Sequence, residues 1–186
     1  YGACAATPSD INEHLPVLRE YASKCEHITE IGMRGARGST VALLAAQPKE
    51  FISWDLNPNA IISQAVADLV PLAGRTQFQP RVGDSLKINI EETDMLFIDS
   101  LHTGIQLRNE LLRHGMNNER TSKVLKYIAF HDTVTFGTVG EDGSINSGAT
   151  MLRAMGSLHE AADTGLCVLV NHHNSRAGNV MGSVSI

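Results

Sequence analysis

Basic tracts are missing from this 186-residue chain. Fifteen Lys and Arg stand against 20 Asp and Glu, a mild net charge of −5 spread along the sequence, so nucleic acid is not the expected partner. Aromatic residues are scarce at 5% and do not interleave with cations. No apolar run approaches the length of a transmembrane helix, and no basic-then-apolar leader opens the chain, so no membrane is expected. Tyr1 stands first where Met would, so the natural N-terminus is expected upstream and a removed leader stays open. Cysteine is sparse too. Cys4, Cys25 and Cys167 are odd in number and lack metal-ligand spacing, which favours free thiols in a reducing, cytoplasmic compartment. Linkers, repeats and low-complexity tracts are absent, so one domain over 1–186 is expected.

What is present is 42% hydrophobic residue content arranged as short apolar runs alternating with helical ones. "HITEIG" (27–32), "EFISWDL" (50–56), "TQFQPRV", "TDMLFIDS" (93–100) and "KYIAFHDTV" read as strands. Between them lie "RGSTVALLAAQ", opened by Ser39 or the glycines before it, and "NAIISQAVADLVPLAG", with Asn59 as N-cap. "GIQLRNELLRHGMNN" reads as an amphipathic helix with Ile105, Leu107, Leu111 and Leu112 on or near one face. Residues 1–25 hold a turn and a helix, because Pro16 fits only a first turn. The glycine-rich stretch 135–148 could be a lid, with Phe136 as an apolar wall. A last helix, "ATMLRAMGSLHEAAD", precedes a closing antiparallel hairpin, which could pair across a homodimer. Strand runs without alternation imply a sheet covered on both faces. The expected fold is therefore α/β and doubly wound, with a mostly parallel sheet.

In such sheets ligands sit beyond the carboxyl ends of the strands. The residues there are Glu30, Asp55, Asp84 with Ser85, Asp99, and His131 with Asp132. Any one of these acids could simply cap the following helix. Five together on one rim are harder to explain that way.

The segment "EIGMRGARGST" spaces Gly32, Gly35 and Gly38 as G-x-x-G-x-x-G, which is not the dinucleotide pattern. Glu30 precedes it, and a carboxylate there would repel a pyrophosphate at the next helix N-terminus. It would attract an ammonium or sulfonium, so the loop suits a phosphate-free cationic nucleoside such as S-adenosylmethionine better than NAD. Asp55 is placed to accept from both ribose hydroxyls, and Asp84 from an adenine amino group.

With "TEIGMRG", "VGDSL", "LFIDSLHT" and "FHDTVTFG" in view, the sequence resembles the class I S-adenosylmethionine-dependent methyltransferases. More narrowly, it is similar to the small metal-dependent O-methyltransferases of macrolide-sugar and cephalosporin pathways. The resemblance spans nearly the whole chain. It implies a Rossmann-like seven-stranded sheet with a C-terminal antiparallel hairpin. It also implies a methyl donor held by Glu30, Gly32, Met33, Arg34, Gly35, Ser39, Asp55, Leu56, Asp84, Ser85 and Asp99. A divalent metal, usually Mg, would sit on Asp99, His131 and Asp132, with His102 as the general base. The family more often has an acid where His131 stands, and an imidazole suits Mn, Zn or Fe better than Mg.

The chemistry explains these residue types. A hydroxyl is a poor nucleophile at neutral pH, and a divalent cation lowers its pKa. A histidine titrating near neutrality can take its proton. The expected acceptor is a small hydroxylated molecule of sugar or natural-product type. Two other classes stay open. One is a non-haem metal oxygenase or hydrolase using His102, His131 and Asp99 or Asp132, and the other is a non-catalytic S-adenosylmethionine-binding module. "NHHN" (171–174) is a weaker metal candidate, since adjacent histidines on a strand face opposite sides. Arg34 could hold the methionine carboxylate or cap a helix, and "SDINEH" could shape the pocket mouth.

Overall fold

The computed structural model describes residues 1–57, 60–115, 123–132, 139–145, 167–172 and 180–185. The chain forms two compact units, Tyr1–Ile88 and Asn89–Ile186.

The first unit is built from βαβ repeats. Strand β2 (Glu50–Asp55) lies between β1 (His27–Ile31) and β3 (Gln77–Val82), and all three are parallel. Helices α3 (Ser39–Ala45) and α4 (Ala60–Leu69) make the crossovers, as parallel neighbours require. β1 is buried along almost its whole length, while β3 stays half-exposed. Pro80 fits such an edge strand, where a missing N–H costs no ladder bond. Before β1 come a short helix α1 (Gly2–Ala6) and α2 (Leu15–Ala22), whose first turn holds Pro16 as expected. α2 packs on α3 and buries Leu15, Leu18 and Ala22. Each leucine hidden in this way contributes about 1.5–3 kcal/mol.

In the second unit β4 (Thr93–Ile98) is buried at all six positions and runs parallel to β5 (Val124–Phe130). Strand β6 (Cys167–His172) pairs antiparallel with β5, and β7 (Val180–Ser185) with β6. Each unit is α/β and Rossmann-like, with three parallel strands in the first and two in the second.

The amphipathic helix after β4 departs from expectation. α5 runs only from Gly104 to Glu110 and continues as one π turn, Leu111–Gly115. Ile105 is 65% exposed, whereas Glu110 is fully buried. Its carboxylate accepts from Ser100 Oγ at 2.8 Å and Gln106 Nε2 at 2.7 Å, which makes an acid tolerable inside. The π turn changes the residue spacing, so a regular 3.6-residue face does not persist through Leu111.

Asn59 as N-cap, Phe136, the helix expected at 149–163 and the second half of the "NHHN" segment, 173–174, lie outside the described residues. Of the lid stretch, 139–145 is described. Among the described residues Cys4 and Cys25 are free, and no helix is long and apolar enough to cross a membrane.

Candidate functional site

In the first unit the glycine loop links β1 to α3. Gly32 and Met33 donate backbone N–H groups to the Trp54 carbonyl, at 2.9 and 3.2 Å. Positive φ occurs at Gly32, Arg34, Ala36 and Gly38. Only two of these are glycines, and Gly35 has ordinary φ with open space around it. The G-x-x-G-x-x-G spacing is thus not the spacing of left-handed positions. Gly38 is required twice over: its φ is +57°, and a Cβ there would stand 2.8 Å from Ile11 Cγ2.

Glu30 corrects the expected acid rim. Its side chain is completely buried and points into the protein, where it accepts from Ser39 Oγ at 2.7 Å, Thr40 Oγ1 at 2.9 Å, and Ser53 Oγ. Ser39 and Thr40 open α3, so the carboxylate also sits at the positive end of that helix. Glu30 ties β1, β2 and α3 together and does not offer an accessible contact. Ser39, 5% exposed, serves the same anchor, and Met33 is buried at 3%.

Asp55 does stand at the end of β2. Its Oδ2 accepts from Arg34 N at 2.9 Å and Oδ1 from Asn57 N at 3.1 Å, so it fixes the glycine loop and the turn after its own strand. Leu56 beside it is 61% exposed. Arg34 Nη1 meets Asp10 Oδ2 at 2.8 Å, which links the N-terminal turn to the loop. Asp84 closes a turn by accepting from Leu86 N at 2.9 Å and pairs with Lys87 at 3.0 Å, with Ser85 nearly buried next to it.

The second unit holds the titratable cluster, formed where β4 and β5 end. His131 N–H donates to the Ile98 carbonyl, which aligns the two strand ends. Asp132 adopts φ +54°, a turn that aspartate accepts more readily than most residues. Asp99, His131 and Asp132 can each offer a ligand atom, all within 4.8 Å of one another. His131 Nδ1 lies 3.5 Å from Asp99 Oδ1 and 3.3 Å from Asp132 Oδ2. His102 faces the same two carboxylates through Nε2, at 3.2 Å from Asp99 Oδ1 and 3.3 Å from Asp132 Oδ2. Asp99, which was also expected at the methyl donor, belongs to this cluster.

The electrostatics follow from that packing. Burial pushes the Asp99 pKa up, but its hydrogen bonds with His102 and His131, together with their charges, outweigh burial and hold it well below the usual carboxylate range. The hydrogen bond to Asp99 raises the His102 pKa against partial desolvation, and the charges of Asp99, Asp132 and Glu141 add to the rise. One imidazole nitrogen with two carboxylate oxygens is a donor set suited to a divalent cation such as Mn, Fe, Zn or Mg.

Sequence reasoning missed Glu141, which reaches the backbone of His102 across 39 residues. No local spacing could have signalled it.

No protein-family model and no curated protein matches the chain. Solved structures do. The O-methyltransferase TomG from Streptomyces achromogenes, involved in tomaymycin synthesis and solved with S-adenosylmethionine, matches at TM-score 0.54 and 19% identity, covering 80% of this chain and 67% of that one. A candidate O-methyltransferase from Klebsiella pneumoniae matches at TM-score 0.50 and 20% identity, covering 82% and 70%. Sp1610 from Streptococcus pneumoniae, a candidate tRNA (m1A22) methyltransferase in complex with S-adenosyl-L-methionine, matches at TM-score 0.48 and 16% identity, covering 64% and 54%. At such identities the likeness is one of fold. The chain has the fold of the class I S-adenosylmethionine-dependent methyltransferases.

Proposed function

We propose that this chain is an S-adenosylmethionine-dependent O-methyltransferase that needs a divalent cation and acts on a small hydroxylated acceptor of sugar or natural-product type. The observation that carries this reading is the placement of His102 Nε2 against Asp99 and Asp132, the same carboxylates that His131 faces.

In the first unit, Asp55 carries the donor's ribose: each carboxylate oxygen has a second lone pair beyond its backbone bond. Exposed Leu56 offers an apolar face to a nucleobase, and Asp84 and Ser85 offer polar atoms to its edge. Gly32, Met33, Arg34 and Gly35 shape the loop for the methionine moiety, and Glu30 with Ser39 holds that loop in place.

In the second unit, Asp99, His131 and Asp132 would hold the cation, with Mg, Mn, Zn and Fe all compatible. A bound divalent ion supplies Lewis acidity that lowers the pKa of a hydroxyl. Asp99 stays ionised at neutral pH and acts only as an acceptor. His102 takes the acceptor's proton at the ring nitrogen left basic while Nε2–H faces the carboxylates, and the imidazolium so formed is stabilised by Asp99 and Asp132. A raised pKa makes His102 a stronger base but also keeps more of it protonated, so transfer should rise with pH through its titration.

The proposal includes a complete seven-stranded sheet with an antiparallel C-terminal hairpin, supported by the registers of β5 with β6 and β6 with β7. It also places the protein in the cytoplasm with no nucleic-acid partner, supported by its charge of −5 and free Cys4 and Cys25.

The test is transfer of a labelled methyl group from S-adenosylmethionine to a panel of sugars and phenols. EDTA should abolish transfer, Mg or Mn should restore it, and His102→Ala should remove it. Transfer indifferent to both treatments rules out the metal and base assignments. Failure to bind S-adenosylmethionine, with hydrolysis or oxygenation in its place, supports the metal hydrolase or oxygenase reading.

A further inference from the structure

Two hydrogen bonds run in opposite directions between residues 102 and 141. His102 N–H donates to Glu141 Oε1 at 3.2 Å, and Glu141 N–H donates to the His102 carbonyl at 2.9 Å. The main chain of His102 is thereby gripped on both sides by a residue distant in sequence. Gly140 makes the grip possible. A Cβ at that position would stand 2.8 Å from the His102 carbonyl oxygen and 3.0 Å from Thr103 Cα. The segment behind it is a tight turn of its own. Val139 bridges Ile145, Gly140 N–H donates to Ser144 O, and Asp142 Oδ1 accepts from both the backbone and hydroxyl of Ser144.

The geometry points to Glu141 as the positioning residue for His102. This rests on the base assignment above. The turn after β4 has to aim the His102 ring at Asp99 and Asp132 from a main chain that leaves the strand after Ile98. Thr103, the N-cap of α5, fixes the turn on one side through its bond from Gln106 N. Glu141 fixes it on the other. The residue touches the His102 backbone and acts through it. It is also exposed, so its substitution should leave the core of the unit intact. A carboxylate is not essential to the grip: an amide oxygen at the same place accepts the same N–H.

The test is histidine side-chain NMR of the chain titrated over pH, with the His102 signals of the variants compared at their fully protonated limit so that the lost Glu141 charge does not count, and with Mn2+ added at neutral pH. Glu141→Ala should shift and broaden the His102 ring signals, while Glu141→Gln keeps them as in the wild type. Gly140→Ala should reproduce the Glu141→Ala spectrum, because its Cβ forces the same two chains apart. An unchanged His102 signal in Glu141→Ala overturns the proposal, and so does a Glu141→Gln spectrum as disturbed as that of Glu141→Ala. Mn2+ separates this from the functional reading. Should Mn2+ fail to broaden His131 while Glu141→Ala still moves His102, the metal assignment falls and the positioning role stands. With His131 broadened and His102 indifferent to Glu141, the reverse holds.

Discussion

The imidazole of His102 stands 3.2 Å from the Asp99 carboxylate, three residues earlier in the chain and at the end of a strand buried throughout. Each partner alters the other's affinity for a proton, and the sign of each effect sets a pH window. Asp99, with its pKa held low, contributes stability that is present above its unfolded value of about 3.9 and lost as pH falls further. His102, with its pKa raised, contributes stability that is full below about 6.5 and lost as pH rises through its folded value. In the metal-free protein the pair therefore stabilises most between about pH 4 and 6.5. Urea midpoints of wild type and His102→Gln should differ more at pH 5.5 than at pH 9. Equal differences at both pH values count against the coupling.

If Asp99, His131 and Asp132 hold a divalent cation as proposed, the ion binds only the folded chain and so stabilises it. At a free concentration 100 times its Kd the gain is about 2.7 kcal/mol, or roughly 5–10 °C in Tm for a chain of this size. Thermal melts with Mn2+ should show that rise in the wild type and lose it in Asp99→Asn and His131→Ala. Melts below about pH 5 should lose it too, since protons compete for His131.

Glu30 carries a prediction that separates anchoring from ligand contact. Glu30→Ala strips the acceptor from three buried hydroxyls and should cost roughly 3 kcal/mol without any ligand present. Urea denaturation of the ligand-free variant measures it. Wild-type stability with weakened S-adenosylmethionine binding would instead mark Glu30 as a direct contact.

The glycines of the loop should behave unequally. Gly38→Ala forces a side chain into φ +57° and against Ile11, and should destabilise by about 1–2 kcal/mol. Gly35→Ala meets open space and should stay within about 0.5 kcal/mol of wild type. Thermal or urea denaturation of the two variants distinguishes them.

These contrasts show what the sequence made legible. β1, β2, β4 and β5 stand within a few residues of their expected places because buried parallel strands are dense apolar runs. Asp99, His102, His131 and Asp132 were legible for the same reason: they directly follow two such runs, and neighbouring strand ends bring them together. Glu30 was legible as a strand-end acid but not in its direction. Ser53, one of its partners, lies 23 residues away on the adjacent strand, and no local pattern reports that contact. The exposed Ile105 and buried Glu110 lie in the regular part of the helix, and the bonds from Ser100 and Gln106 that let an acid face inward are not reported by an apolar periodicity. Glu141 depends on a glycine whose missing Cβ matters only after the chain has folded back.

The central claim is a cation held by Asp99, His131 and Asp132 with His102 left as the base. Anomalous diffraction from crystals soaked in Mn2+ and S-adenosylhomocysteine tests it most directly. The predicted result is one Mn2+ peak about 2.2 Å from an oxygen of Asp99, an oxygen of Asp132 and Nδ1 of His131, with His102 Nε2 outside that distance. A peak bound to His102, or no peak at these three residues, contradicts the account.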